Sequence, residues 1–555
     1  MEEGPKDIMM MDLRWPYWPK GTYYANWNTG LGSEDGKVTF YGGFIASLDN
    51  GPDNTPNPDD AKQDAYVPGN VWSWWGGADD GGVPLYVDCA ETLGIVNESA
   101  GEGCSASLKA RGGAWPFMTR KRWYTQVARV WEPLDPEARH SYCARWIKDV
   151  HNNEWHMVAI LKLPFRAKGL YKNNGFIEPF GMGEMPRPIE RRFGYYRKDG
   201  EWHSSNSVVI NKRSKVIMEV LREGSHEYHS IEYAQNDRHM PWNPALKKAE
   251  VLPGDQRIEK EARQPTAPVL DKPGVENVRA ISTDGQVVVS WDVPKSSSPF
   301  LAYKVEVFDN PECNGTPKAV AHRRMPNVRH VSLDVEVERP TIRMTAWDIF
   351  DQQAKPVVVR SKPVEIPESK PRPADELFSG VHYTCFVRGH GKDRWESLED
   401  IPTGKLISEG LSGYPRRGVK EGIQSQHYGL QFDGFIDVPA DGVYLFHTQI
   451  DGNYKLEIDG EDRIVRDRNE GTKEHTAVVA LGKGLVPFRL SYLAANPIRS
   501  NFNLEWEGPG MVRQPMRSSA FKVIDVDRTP QVALNAELSG AGDGGVKVVV
   551  DPRAH

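Results

Sequence analysis

Residues 441–465 read DGVYLFHTQIDGNYKLEIDGEDRIV, and the chain continues with ALGKGLVPFRLSYL at 480–493 and FNLEWEGPG at 502–510. Apolar and polar residues alternate at period two, the pattern of a half-buried strand. Asp451-Gly452 and Asp459-Gly460 separate the runs. Asp-Gly is the pair that a two-residue hairpin selects, because both central positions take positive φ. The stretch therefore predicts successive antiparallel hairpins.

Outward from it the same grammar holds. GQVVVSWDVP at 285–294, AYKVEVF at 302–308 and PTIRMTAWD at 340–348 are short runs of β-branched and aromatic residues between turn residues. RWYTQVARVW at 122–131, SYCARWIKD at 141–149 and EWHMVAILKLP at 154–164 are spaced as an antiparallel meander with short loops. The fold class expected is all-β and multidomain. At 555 residues the chain exceeds one core, and Pro-rich stretches at 241–274 and 361–376 divide it. The expected organisation is a tryptophan-rich sandwich over 1–250, a linker over 251–267, a small sandwich over 268–364 and a linker over 365–376. A barrel over 377–530 and a C-terminal strand or tail over 531–555 complete it. Of the seventeen tryptophans thirteen precede residue 245, so the first domain holds most of the surface suited to stacking on sugars.

The balance of 69 Lys and Arg against 76 Asp and Glu gives a net charge of −7, with no basic excess to neutralise a phosphate backbone. Nucleic acid is not an expected partner. No run approaches the roughly 20 apolar residues of a membrane-crossing helix. Met1 to Asp12 lacks the basic-then-apolar order of an export signal, so any signal is expected to have been removed or never to have existed. A monomer is expected. The five cysteines form no C-x-x-C; Cys89 and Cys104 are close enough to close a loop by disulfide, and all five also suit small buried positions. G-x-S-x-G, Walker-type and dinucleotide-binding patterns are absent, as is H-E-x-x-H. HEYH at 226–229 has metal-ligand spacing only on a helix, and the Asp-rich stretch at 49–64 lacks the spacing of an EF-hand loop.

In the first domain Arg122, Tyr124 and Gln126 share one strand face, with Trp123, Thr125 and Val127 on the other. In the third strand of the meander, His156, Val158, Ile160 and Lys162 lie opposite Trp155, Met157, Ala159 and Leu161. The polar face is either the solvated side of a sheet or the lining of a groove that holds a glycan. On the second reading the catalytic candidates are Glu178, His156, Tyr124 and Arg192. Glu178 would be an acid or base with Glu184 or Asp149 as its partner carboxylate, or else a salt-bridge partner of Arg191 or Arg192. Trp74, Trp75, Gln126 and Arg122 are the substrate-binding candidates, with Trp72, Trp74 and Trp75 read as part of a Gly- and Asp-rich loop.

Three family resemblances add to this. Trp291 with Pro294, Tyr303 with Val305, and Ala346-Trp347-Asp348 resemble the core strands of fibronectin type III modules over about 268–364, which implies a spacer. Gly442, Tyr444, Phe446, Asp451, Gly452, Leu456, Ile458, Asp459, Gly460, Gly484, Leu504, Trp506 and Gly508-Pro509-Gly510 resemble the protective-antigen-type β-barrel domain of bacterial toxins, glycosidases and yeast adhesins, over about 377–523. In adhesin members two adjacent aspartates hold calcium, which binds sugar hydroxyls. This chain has Ile450-Asp451, so the resemblance implies either calcium on Asp451 or a structural, weakly binding barrel. WPYWPKGTYYANW at 15–27, YGGF at 41–44, the strand around Trp123, GFIEPF at 175–180, RRFGYYR at 191–197 and Gly200-Glu201-Trp202 resemble a bacterial domain of unknown function found with polysaccharide-utilisation proteins. It covers about 15–212 and implies a concanavalin-like or jelly-roll sandwich. The function expected is a secreted, periplasmic or surface protein that handles a glycan, as a glycosidase or lyase, or as a multivalent binder without chemistry.

Overall fold

The computed structural model describes residues 5–18, 22–32, 38–46, 69–76, 84–89, 93–96, 105–108, 118–171, 175–179, 187–192, 194–205, 207–210, 216–223, 226–233, 256–259, 267–369, 377–387, 397–419, 428–450, 452–466, 473–494, 502–524, 536–541 and 545–550. Among them the chain is all-β, with two short 3-10 turns at Leu398–Thr403 and Ser518–Ala520. It divides into two compact units. The first joins Met1–Arg279 with Val289–Val331 and Thr341–Arg360; the second joins Ala280–Val288 with Ser332–Pro340 and Ser361–His555.

The first unit opens with β1 (Ile8–Arg14), β2 (Thr22–Leu31), β3 (Val38–Ala46), β4 (Gly69–Gly76), β5 (Leu85–Cys89), β6 (Leu93–Val96) and β7 (Ser105–Leu108). The meander follows as β8 (Tyr124–Trp131), β9 (Ser141–Asp149) and β10 (Glu154–Leu163). Then come β11 (Leu170–Tyr171), β12 (Phe176–Pro179), β13 (Arg187–Arg192), β14 (Tyr195–Lys198), β15 (Glu201–Ser204), β16 (Ser207–Ile210), β17 (Val216–Glu223), β18 (His226–Tyr233) and β19 (Gln256–Glu259). One sheet runs β17-β18-β13-β1-β8-β9-β10-β5, with β14 and β15 attached to β1. A second runs β11-β2-β3-β4-β7-β6, with β12 beside β2.

Period-two alternation sets the core of this unit. Met9, Met11 and Leu13 of β1 face Trp27, Phe40, Phe44, Trp72 and Trp74 of the second sheet in one buried cluster. Trp15 and Trp18 stack within it, centroids 4.6 Å apart. The opposite face of the meander is covered too. Val127, Trp131, Trp146, Trp155 and Ile160 pack with Leu301, Ala302, Ile349 and Phe350. Arg129 donates to Asp351 Oδ1 and Oδ2 at 2.8 and 2.9 Å, and Arg197 bridges Asp7 and Asp351.

The stretch after 267 supplies β20 (Glu276–Thr283), β21 (Gln286–Asp292), β22 (Phe300–Phe308), β23 (Ala319–Arg324), β24 (His330–Asp334), β25 (Thr341–Asp348), β26 (Val357–Arg360) and β27 (Lys362–Pro363). They form sheets in the orders β24-β21-β20-β27 and β23-β22-β25-β26. The runs at 285–294, 302–308 and 340–348 are thus strands. Trp291 packs on Tyr303 with centroids 4.9 Å apart.

The second unit contains β28 (Phe378–Ser379), β29 (Val381–Val387), β30 (Lys405–Ser412), β31 (Tyr428–Val438), β32 (Gly442–Ile450), β33 (Asn453–Ile458) and β34 (Glu461–Arg466). After these come β35 (His475–Leu481), β36 (Gly484–Leu493), β37 (Phe502–Gly508), β38 (Met511–Pro515) and β39 (Phe521–Val523). One sheet runs β28-β39-β31-β36-β33-β34 with β29 and β30 attached, and the other runs β35-β32-β37-β38. Tyr444, Phe446, Leu456, Ile458, Leu490 and Trp506 lie in their shared core. The hairpin between β33 and β34 turns on Asp459 (φ 57°) and Gly460 (φ 75°), the doubly positive pair that a type I′ turn requires. The C-terminal stretch forms a further hairpin, Ala536–Ala541 with Gly545–Val550. Cys89, Cys143, Cys313 and Cys385 are buried; Cys104, and with it the disulfide expectation, lies outside the described residues.

Candidate functional site

The meander places the polar candidates of the first unit through its register. Gln126 pairs with Met11 on one side and Ile147 on the other, and Ile147 pairs with His156. Tyr124 pairs with Leu13 and Asp149. Tyr124, Gln126 and His156 therefore share one sheet face, and Leu13, Met11 and Ile147 identify it as the face turned into the sandwich core. A solvated face is not what the structure shows. A bulge between Met157 and Ala159 also breaks the simple alternation: Ile160 lies with Trp155 on the outer face and Leu161 in the core.

Tyr124 is fully buried. Its hydroxyl accepts from Thr119 N at 2.7 Å and donates to Thr119 O at 3.2 Å, and burial raises its pKa. Gln126 is also fully buried; its Oε1 accepts from Trp27 Nε1 at 2.7 Å and from Arg145 Nη2 at 3.4 Å. Burial, with Lys295 nearby, pushes His156 down to about 4, so the ring is neutral at pH 7; Nε2 lies 3.8 Å from the Glu154 carboxylate. Asp149 accepts from His151 N, Asn152 N and Asn152 Nδ2, fixing the turn before β10. Arg122 lies beside it, Nη1 4.0 Å from Oδ2.

Arg192 belongs to the other face of the same sheet. Its Nη1 donates to Asp12 Oδ2 at 3.3 Å, and its Cζ lies 4.2 Å from the Trp123 ring centroid, with Arg14 Cζ at 4.5 Å. Arg191 Nη2 contacts Met11 Sδ at 3.5 Å. The Glu178 side chain, and with it the expected salt bridge to either arginine, lies outside the described residues. The backbone of Glu178 lies on β12 opposite Tyr23, in the second sheet, and Glu184 is outside the described residues.

The tryptophan trio departs from its expected loop. Residues 69–76 are strand β4, and β3 pairs along it from Val38↔Gly76 to Ile45↔Gly69. Trp72 and Trp74 point inward together, 0% and 2% exposed, which leaves neither ring an open face for a sugar. The backbone of Trp75 pairs with Thr39. HEYH at 226–229 lies on strand β18 and not on the helix that its metal-ligand spacing would need.

Sequence reasoning passed over Arg145. It follows Cys143 at strand spacing, and that phase turns both toward the core. Arg145 is fully buried, and its Cζ lies 5.7 Å from the Trp72 ring centroid. A Cβ at Gly42 would overlap its Nη1 and would lie 2.9 Å from its Cζ. The glycine of YGGF thus makes room for the guanidinium. Burial lowers Arg145 to about 10, which leaves it charged at neutral pH.

In the second unit, Val443 and Leu445 of β32 are covered by Val288 and Ile281, and Gln286 holds the Val443 backbone through both N and O. Farther along the same face His447 donates to or accepts from Thr476 Oγ1 at 3.0 Å and lies 3.4 Å from Glu507. Arg513 ties Glu474 to Glu505, and these carboxylates raise its pKa although burial opposes them. Asp451 is outside the described residues, and Ile450, where the calcium-binding pattern has its other aspartate, is buried in the barrel core. The calcium pair is one carboxylate short. Among the described residues no group of three or more His, Cys, Asp and Glu is arranged to hold a metal ion.

Comparison with solved structures gives low overall similarity. The A domain of epithelial adhesin 9 from Candida glabrata, in complex with Galb1-3GlcNAc, is 14% identical; the match covers 30% of this chain and 98% of that one, at a TM-score of 0.23. A PA14 sugar-binding domain from an RTX adhesin is 15% identical, covering 26% and 98%, at 0.22. An anti-sigma factor domain-containing protein from Clostridium clariflavum is 15% identical, covering 49% and 95%, at 0.21. No curated protein matches significantly. The family model of the PA14 domain matches residues 418–518, the stretch that builds β31 to β38, and this part of the chain is a PA14 domain.

Proposed function

We propose that this chain is an extracellular or cell-surface carbohydrate-binding protein that engages glycan through its PA14 domain. The match of residues 418–518 carries the reading, because adhesin members of the resembling family bind sugar hydroxyls. With Ile450 in the core, binding here relies on direct hydrogen bonds more than on a calcium bridge, and is weak per site. The stretch over 268–364 acts as a fibronectin type III-like spacer; its strand orders and the Trp291–Tyr303 contact support that. The test is retention of the full chain on a glycan array with calcium and with chelator. Retention that survives chelation is expected, and no retention on any glycan sinks the reading.

A catalytic role for the first unit, as glycosidase or lyase, is the second reading. His156, whose Nε2 lies 3.8 Å from the Glu154 carboxylate, is the observation in its favour. Glu178 as acid or base, with Arg122 and Trp75, completes the proposed set, whereas Tyr124, Gln126 and Trp74 are enclosed in the core and Arg192 lies on the opposite sheet face. Incubation with a polysaccharide panel decides it: new reducing ends indicate hydrolysis, unsaturated uronic products indicate a lyase, and silence on both rejects the role.

A further inference from the structure

We propose that the interior of the first unit holds a small monovalent anion, of halide or formate size, against Arg145. Four observations lead there. Arg145 has no exposed surface. Its Nη2 reaches Gln126 Oε1 at 3.4 Å, whereas Nε and Nη1 are buried without a hydrogen-bond partner. Among the described residues the groups that act on it are Tyr23, Tyr86 and Cys143, and none is a carboxylate. Its neighbours add unmet donors: Gln126 Nε2 and Trp72 Nε1 are also buried and unpartnered.

The orientation of Gln126 follows from its neighbours. Oε1 takes the Trp27 and Arg145 protons, so Nε2 is left as a donor. A charged guanidinium, an amide N–H and an indole N–H are therefore enclosed in the core around one acceptor, Gln126 Oε1, which is already shared with Trp27, and four of their donor nitrogens go unmet. A buried charge without a partner costs several kcal/mol even after relaxation, and each unmet donor adds to that. Glycine at 42 shows that the chain makes room for the guanidinium instead of excluding it. A bound anion supplies the missing charge and the missing acceptor together. Because Arg145, Gln126 and Trp72 are all enclosed, the occupant is small, and a polymeric sugar acid does not reach it. The site is independent of glycan binding by the PA14 domain.

The test uses the full chain at constant ionic strength in sodium gluconate, whose anion is too large for the site, with chloride, bromide or formate replacing part of it. Binding to the folded state alone raises the melting temperature with the logarithm of the anion concentration once the site is mostly filled. At about 100 times the half-saturating concentration, the transition of the first unit rises by roughly 5–10 °C. Arg145→Met keeps the bulk and removes the charge, and its transition is expected to be the same in every anion. A wild-type transition indifferent to the anion overturns the proposal, as does an Arg145→Met variant that responds as the wild type does. If the variant does not fold, wild-type crystals transferred to bromide decide: an anomalous peak beside Arg145 Nε and Nη1 supports the site, and its absence overturns it.

Discussion

Single side chains in the first unit bear unequal loads. Trp27 is fully buried and its indole N–H is the best donor to Gln126 Oε1. Trp27→Phe keeps most of the apolar bulk and leaves that oxygen with one long contact, so a loss of about 2–4 kcal/mol is expected in denaturant unfolding. Asp351 is a different case. Burial would raise its carboxyl, but Arg129 and Arg197 together hold it below the ordinary value of 3.8. A depressed acid contributes stability that is present above the unfolded pKa and lost as pH falls through the folded one. The wild type is therefore expected to lose this contribution only below pH 3.8, while Asp351→Asn lacks it throughout, so the difference between the two proteins closes across that window. At neutral pH the substitution costs about 1–2 kcal/mol, less than a fully buried pair, because the Asp351 side chain is 45% exposed and screened by water. Melting both proteins from pH 2 to 7 checks sign and size.

Elements were legible wherever periodicity and turn chemistry agreed. The Asp459-Gly460 turn and its flanking strands could be read because the pair demands one turn type. Gly460→Ala is expected to cost about 1–2 kcal/mol through backbone strain alone, since nothing lies within 4 Å of its missing Cβ. Gly42→Ala should cost more, by collision with an enclosed arginine, and the two unfolding curves side by side separate the causes. What alternation could not reveal was which face of β8 met the core. Tyr124 and Gln126 look like a solvated row, yet inside the core Thr119 pairs with the Tyr124 hydroxyl and Trp27 donates to Gln126 Oε1. The bulge at Met157 to Ala159 was also hidden, because it is set by pairing with β9 and not by the residues of β10. Trp72 and Trp74 read as loop because Gly and Asp follow them, but their spacing of two is that of one strand face. Of the candidate site, the shared face of Tyr124, Gln126 and His156 was visible, while its burial and Arg145 were not.

At the scale of the whole chain, the first unit has two apolar layers and not one. The outer layer joins the meander to Leu301, Ile349 and Phe350, so a change in that distant stretch is felt in the N-terminal sandwich. Phe350 is 5% exposed and packs against Trp155 and Trp202 at centroid distances of 6.1 and 6.0 Å. Phe350→Ala is expected to cost about 3–5 kcal/mol and to lower the melting of the sandwich, while glycan retention by the PA14 domain is unchanged below that temperature. Calorimetry and affinity on the same variant give both readings. The stacked Trp15 and Trp18 make such an experiment simpler than it looks. Two indoles held 4.6 Å apart with their planes 28° from parallel couple their electronic transitions, and coupled chromophores at a fixed angle give a paired circular-dichroism band that vanishes when either ring turns. The protein thus carries a native optical gauge of its first core, readable without a label.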